Sequence, residues 1–414
     1  MRYVIIGNSA TGVSAAWTIR RRDPVSGIEI ISDEGHHLYS RILLVYWIAG
    51  RVSRNDLSLQ SPEEYETRNI VLSLNERVEE IDAKAHRLST TRRTGVPYDR
   101  LLIATGASAI RPEIPGIELE GVETLRVVED AERIISGAIA HSPVVVIGGG
   151  LIGVRASEAL VARGVRVHMV VSSSHILSQM LDPQSSEIIL QRLQEHGVEV
   201  RLGTDVKEFF GRGRLEGLLL SDGSRIHTGL AVVGKGVRPN TACVLGTGAE
   251  VDLGVCVDEH MATAAPDIYA AGDVAEAYDS LRDGRWINAL WPIAVEQGRA
   301  AGINMTGCAE VYAGTIRLNS MEVFGLPCVS IGHVYDSGDA RTLLHNDRHL
   351  GIYRKLFLRD DRLVGAVLIG DVRGAGVLTG LIRSPRPFAN AWIHEILTRG
   401  PLFSLQMLGN KEAA

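Results

Sequence analysis

The chain has 414 residues, enough for two or three domains with their own cores, and its 45% hydrophobic and 22% charged content is that of an ordinary globular protein. Its formal net charge is -6, and no basic stripe with interleaved aromatics is present, so no nucleic-acid partner is expected. No apolar run approaches the ~18 residues a membrane helix needs, so no membrane span is expected either. The 44 glycines exceed the usual share of about 7%. They gather at the ends of apolar runs, where nucleotide-binding turns require them. The cysteines are Cys243, Cys256, Cys308 and Cys328. None forms a C-x-x-C pair, and no His or Cys cluster has metal-ligand spacing. This predicts scattered reduced thiols, no metal site and a cytoplasmic protein. No signal-peptide pattern precedes the first apolar run, so no leader is expected.

In chain order, Tyr3 to Ile6 reads as a buried strand. The turn Gly7, Asn8, Ser9, Ala10, Thr11, Gly12 follows, and then a helical stretch, Val13 to Arg20. This is the dinucleotide fingerprint G-x-G-x-x-G with Ser9 at the middle glycine, a residue still small enough for a pyrophosphate to approach the backbone. Ile28 to Ile31 is the next strand. An acid is expected at its end for a ribose hydroxyl; Ser32 stands there, with Asp33 and Glu34 next, and either acid can serve. His36 and His37 read as loop residues. Asp56 to Leu74 is helical and then extended, and Val78 to Thr94 is a strand pair with a charged turn. Tyr98 to Gly106 is a buried strand ending in Ala104, Thr105 and Gly106.

Pro112 and Pro115 then break the chain near Arg111. Val127 to Ile139 reads as a helix. The second fingerprint follows: Val144 to Ile147 is a strand, Gly148, Gly150 and Gly153 make the turn, and Val154 to Arg163 is its helix. Val165 to Val171 is a strand, Glu187 to His196 a helix, and three strands lie between Val198 and Val233. Gly236 to Asn240 closes the unit. Ile268 to Asp273 is a short strand ending in Gly272 and Asp273. Trp291 to Met305 is helical, with Pro292 suited to a first-turn position. Ala313 to Gly332, Gly351 to Leu358 and Leu363 to Ile369 alternate as in an antiparallel sheet, and Pro387 to Leu397 reads as a helix. One fingerprint suits a dehydrogenase; two suit a flavoprotein that trades electrons with a nicotinamide.

The ordered set GNSATG at Gly7, ATG at Ala104, GGGLIG at Gly148, GVRPN at Gly236 and AAGD at Ala270 resembles the FAD-dependent pyridine nucleotide-disulfide oxidoreductase superfamily over nearly the whole chain. The resemblance implies an α/β fold with two Rossmann-like dinucleotide-binding domains, the NAD domain inserted in the FAD domain, and an α+β C-terminal interface domain. The expected divisions are 1–111 and 241–312 for FAD, 112–240 for NAD(P) and 313–414 for the interface domain. FAD would be held by Gly7, Ser9, Ala10, Gly12, Asp33 or Glu34, Arg41, Ala104, Thr105, Gly106, Gly272, Asp273, Trp291 and Pro292. Asp273 would bond the ribityl chain. The helix from Trp291 would aim its positive end at the flavin pyrimidine ring. NAD(P) would be held by Gly148, Gly150, Leu151, Ile152, Gly153, Ser172 and Gly236.

Within the superfamily, Leu38 to Leu44 discriminates. Disulfide reductases carry C-x-x-x-x-C near here, and coenzyme A disulfide reductases, NADH oxidases and peroxidases a single cysteine just beyond it. This chain reads YSRILL, with no cysteine before Cys243. It is similar instead to rubredoxin reductases, to the flavin portion of NADH-dependent nitrite reductases, and to the FAD subunits of phenylglyoxylate dehydrogenase and tungsten aldehyde oxidoreductase. The resemblance implies an iron–sulfur electron-transfer partner, with Arg41 near the flavin edge and no residue acting as acid or base. Two departures stand out. Arg155 occupies the place of a frequent Glu, and Val171, followed by Ser172, Ser173, Ser174 and His175, occupies the place of the acid that reads an NAD ribose. No Arg or Lys stands in that loop to attract a 2′-phosphate, so NAD(H) is favoured over NADP(H). A stand-alone reductase and a complex subunit, a homodimer and a heteromer, are all compatible. The alternatives are a NADH oxidase or coenzyme A disulfide reductase, and a non-catalytic redox-sensing flavoprotein.

Overall fold

A computed structural model of the chain describes residues 1–140, 143–282, 284–334, 340–384 and 390–401. The chain divides into two compact units. Met1–Leu43, Ser53–Ser108 and Val237–Thr315 form the first. Leu44–Val52, Ala109–Gly236 and Ile316 onward form the second.

The first unit is built on a five-stranded sheet in the order Ile268–Ala270, Arg100–Ile103, Arg2–Ile6, Gly27–Ile31, Ile70–Ser73, every pairing parallel. Four of the five residues in both Arg2–Ile6 and Gly27–Ile31 are buried, as expected of strands covered on both faces. Their core includes Ile5, Ile30, Leu102 and Ile103, all fully buried. The helices Ala10–Arg22 and Trp291–Met305 pack closely together. Small residues permit this: a Cβ on Gly298 would overlap the Thr11 carbonyl, and one on Gly302 would lie 2.8 Å from the Ala15 carbonyl.

The second unit holds another parallel sheet, ordered Val198–Leu202, Val167–Val171, Val144–Ile147, Ala231–Val233, Val122–Thr124. The helices Val128–Ala140, Leu151–Ala162 and Pro183–Glu195 accompany it. The same unit carries a five-stranded antiparallel sheet, ordered Leu318–Val323, Leu326–Gly332, Arg362–Ile369, Ile352–Arg359, Arg341–Asp347. Its first strand alternates exposed and buried residues, the mark of a half-buried sheet. Polar contacts join the helix Pro183–Glu195 and its two ends to this second sheet: Arg192 donates to the carbonyl of Phe324, the Phe324 ring stacks on His196 at 4.1 Å, and Asp182 accepts from Lys355 at 3.4 Å.

The helix expected at Trp291 to Met305 has those bounds. Where a helix was expected from Asp56, the chain makes only a 3-10 turn, Asn55–Leu57, and the short helix Pro62–Glu66. The strand Arg341–Asp347 is not marked in the sequence, because its polar residues hide the period of two. Pro387 lies outside the described residues, and the last helix is Asn390–Arg399. Among the described residues no helix is long and apolar enough to cross a membrane.

Gly298→Ala is expected to destabilise the protein by about 1–2 kcal/mol in denaturant unfolding, since the Thr11 carbonyl cannot yield and the gain in helix propensity offsets only part of the strain. Gly27→Ala, with no atom within 4 Å of the added carbon, should stay within about 0.5 kcal/mol of the parent.

Candidate functional site

In the first unit the site begins where Arg2–Ile6 runs into the helix Ala10–Arg22. Gly7 has φ +116°, and a Cβ there would overlap the Ala104 carbonyl; a Cβ on Gly12 would overlap the Gly7 carbonyl. The turn is therefore pressed onto both the next strand end and its own helix. Ser9 is the N-cap, yet its hydroxyl caps nothing and the first turn holds no acid. The N–H groups of that turn, Ala10 included, remain available to an anion. Asn8 fixes the turn from the side. Its amide donates to the His36 carbonyl at 3.1 Å and its oxygen accepts from the Tyr65 hydroxyl at 3.0 Å, while that hydroxyl accepts from the Leu38 N–H at 3.2 Å. Asn8 and Tyr65 were not singled out from the sequence. Fifty-seven positions separate them, and although Asn8 lies within the first glycine motif, Tyr65 belongs to none.

After Gly27–Ile31 the two expected acids part company. Asp33 is exposed. Glu34 accepts from the Tyr39 hydroxyl at 2.7 Å and pairs with Arg41, which also donates to that hydroxyl at 2.8 Å and lies 5.1 Å over the Tyr39 ring. Burial works against the Arg41 charge, but Glu34, Tyr39 and Asp273 outweigh it and raise its pKa. Asp273 is therefore close enough to act on Arg41, and the structure brings Glu34, Arg41 and Asp273 into one electrostatic neighbourhood.

Ala104, Thr105 and Gly106 are clamped by Asn240. The Thr105 hydroxyl donates to the Asn240 carbonyl at 2.7 Å, and the Asn240 amide returns a bond to the Thr105 carbonyl at 2.9 Å. Gly272 has φ +81°, donates to the buried Gln297 at 2.8 Å, and leaves no room for a Cβ beside Thr11. Trp291 and Pro292 open their helix behind the N-cap Leu290, again without a side-chain cap or a first-turn acid.

The second unit repeats the design between Val144–Ile147 and Leu151–Ala162. Gly148 has φ +107° and abuts the Gly234 carbonyl, and a Cβ on Gly153 would overlap the Gly148 carbonyl. Gly150 is the N-cap, uncapped, with nothing within 4 Å of where its Cβ would be. Leu151 and Ile152 begin the helix, and Ile152 is exposed. The neighbouring helix Pro183–Glu195 is different: the Asp182 carboxylate accepts from the N–H groups of Gln184 and Ser185 at 2.9 and 3.2 Å. One helix is closed by its own side chain and the other carries no side-chain cap.

Val171 is buried, and its Cγ1 would lie 2.8 Å from a Cβ on Gly149. It supports the glycine turn from below and offers no polar group. Ser172 is exposed, and Gly236 has φ +94°. The loop contains no cation of its own, but the fold supplies one from elsewhere: Lys235 Nζ is 3.5 Å from Ser172 Oγ and 2.6 Å from Asp205 Oδ1. Sixty-three positions separate Lys235 from Ser172, and no local pattern in the sequence joins them. Arg155 is engaged elsewhere, with Glu158 and the Glu322 carbonyl.

Two parallel-sheet units, each with an open, glycine-lined helix N-terminus, define a protein built around two dinucleotides. The chain belongs to the pyridine nucleotide-disulphide oxidoreductase family, whose model matches residues 1–298. Residues 318–386 match the rubredoxin NAD+ reductase C-terminal domain. The chain is 30% identical over 406 residues to the assimilatory nitrate reductase electron transfer subunit of Bacillus subtilis (strain 168), covering 97% of this chain and 52% of that one. It thus spans about half the length of that relative. It is also 30% identical over 385 residues to the NADH-dependent phenylglyoxylate dehydrogenase subunit epsilon of Aromatoleum evansii, covering 92% of this chain and 91% of that one. Among solved structures, a NAD-dependent persulfide reductase from A. fulgidus superposes with TM-score 0.90 at 26% identity, covering 100% of this chain and 84% of that one.

Membership in the family implies FAD and a pyridine nucleotide. The chain's own features fit such groups: carbonyls stand where a Cβ would lie at Gly7, Gly12, Gly148 and Gly153, and the helix starts are uncapped. Gly150→Asp is expected to keep or slightly raise the thermal midpoint, because a carboxylate N-cap satisfies the open N–H groups. The same carboxylate would oppose an anionic pyrophosphate, so a titration should show NADH binding weakened at least about tenfold.

Proposed function

We propose that the chain is an FAD-dependent oxidoreductase that exchanges hydride between NAD(P)H and FAD, and single electrons between FAD and an iron–sulfur protein or subunit. FAD, when bound, supplies the chemistry that joins a two-electron nicotinamide to a one-electron carrier. The observation that carries the reading is the stretch Leu38 to Leu44. Thiol-dependent relatives carry their cysteine near or just beyond this stretch; this chain has none there and instead ties Tyr39 and Arg41 to Glu34. The four cysteines are free, and Cys243, Cys256 and Cys328 are buried. Burial pushes the Cys243 thiol up to about 11 and the Cys328 thiol up to about 12, so both stay protonated and unreactive at neutral pH. Free thiols also fit a cytoplasmic setting.

The remaining roles belong to the polypeptide. Gly7, Ser9, Ala10 and Gly12 present backbone N–H groups to the FAD pyrophosphate, and Gly148, Gly150, Leu151 and Gly153 to that of the nicotinamide nucleotide. Glu34, or Asp33, accepts from the FAD ribose. Asp273 holds the ribityl chain, and Arg41 places a cation close to it, at the flavin edge. The helix from Trp291 and Pro292 sets its positive end toward the ring system. NADH is favoured, because Lys235, the cation that reaches Ser172, is already paired with Asp205.

The names of the relatives, an electron transfer subunit and a dehydrogenase subunit epsilon, support an iron–sulfur partner, as does the rubredoxin reductase C-terminal domain. Anaerobic NADH is expected to bleach the bound flavin, and the reduced protein to pass electrons to ferricyanide and to a small iron–sulfur protein. Absence of bound flavin, or no bleaching, would overturn the proposal. Co-purification of iron–sulfur subunits separates a complex subunit from a stand-alone reductase. Replacing Cys243, Cys256 and Cys308 by Ser and Cys328 by Ala, one at a time, should leave NADH:ferricyanide kcat/KM within about twofold of the parent. A large loss at any one of them, with folding intact, would return the thiol-dependent alternative.

A further inference from the structure

We infer that Asp205 and Lys235 together discriminate NADH from NADPH, taking over the role of the acid that is missing at Val171. The inference rests on the nicotinamide reading of the second unit given above.

Ser172 is the first residue beyond Val167–Val171, and in a dinucleotide fold the residues at this strand end face the adenosine ribose. Val171 cannot read the 2′ position, because its side chain is buried beneath Gly149. The neighbouring chain fills the gap. After Val198–Leu202, the Gly203 N–H donates to the Ser173 carbonyl and the Thr204 N–H to the Val171 carbonyl, each at 3.1 Å. This folds the loop back over the end of Val167–Val171 and puts Asp205 within reach of the same ammonium as Ser172. Asp205 is itself anchored: its N–H donates to Ser221 Oγ at 3.1 Å. Lys235 arrives from the other side of the sheet, directly after Gly234, whose carbonyl lies against Gly148 in the glycine turn. Its ammonium meets Asp205 at 2.6 Å and Ser172 at 3.5 Å.

The two charges act oppositely on the same substituent. A carboxylate accepts a hydrogen bond from a 2′-hydroxyl and repels a 2′-phosphate, while an ammonium attracts the phosphate. With Asp205 ionised, the ammonium is already engaged and an incoming phosphate meets a like charge. Neutralising Asp205 releases the ammonium at the edge of a serine-rich loop that can hydrogen-bond phosphate oxygens. Removing Lys235 leaves the carboxylate without its counter-charge and makes the site stricter for NADH.

The test uses the flavin-loaded protein and two probes, 5′-AMP and 2′,5′-ADP, which differ only by the 2′-phosphate, titrated by calorimetry alongside kcat/KM for NADH and NADPH. Asp205→Asn is expected to tighten 2′,5′-ADP about tenfold while 5′-AMP changes less than about threefold, with the NADPH:NADH ratio of kcat/KM rising in step. In the same background, adding Lys235→Gln should cancel that gain. If Asp205→Asn does not fold, Lys235→Gln alone carries the test, by weakening 2′,5′-ADP and sparing 5′-AMP. Equal changes for both probes, or no change in either variant, would overturn the inference while leaving the nicotinamide site standing. A parent protein that binds neither probe nor NADH would instead sink the nicotinamide reading, and this inference with it.

Discussion

A carbonyl oxygen that occupies the place of a side chain is the constraint on which the rest of the structure depends. At Gly7 and Gly12, and again at Gly148 and Gly153, a backbone carbonyl stands where a Cβ would be. The helix is thereby drawn against the strand that feeds it, and its first turn ends up over the end of a parallel sheet. Any larger residue would lift the helix away. Because the N–H groups of that turn meet no side-chain cap, the tight packing leaves an electropositive opening. Tight packing and an open helix end thus arise from one local geometry.

Side-chain caps are present on some helices and absent from others. Asp182 closes Pro183–Glu195, and Ser61 and Glu64 form a capping box on Pro62–Glu66. The helices that begin after Ser9, Gly150 and Leu290 lack such caps. An open helix end costs about 1 kcal/mol relative to a capped one, and the helix Ala375–Arg383 lacks a side-chain cap as well. Within the first unit, small residues let Trp291–Met305 lie against Ala10–Arg22, so two of these open ends belong to helices that brace each other.

Several buried or half-buried charges are grouped with their counter-charges. Glu34, Tyr39 and Arg41 satisfy one another in the first unit; Arg155, Glu158 and Arg51 do so in the second. The Arg at position 155 thus has a structural explanation: it lies over the Tyr46 ring at 5.1 Å and binds the Glu322 carbonyl, holding together parts of its own unit that are distant in sequence.

The strand, glycine turn and helix of each nucleotide unit were legible in the sequence, as were the motif order, the family and the helix from Trp291. These depend on local features, a short apolar run and residues at fixed spacing, which backbone sterics read without help from the rest of the chain. The partnership of Asn8 with Tyr65, the clamp of Asn240 on Thr105, the separation of Glu34 from Asp33 and the approach of Lys235 to Ser172 were decided by tertiary structure. Each joins groups from different strand ends or loops. Sequence spacing carries no record of which strand lies beside which, so a hydrogen bond across 63 or 135 positions appears only once the sheet order has been set.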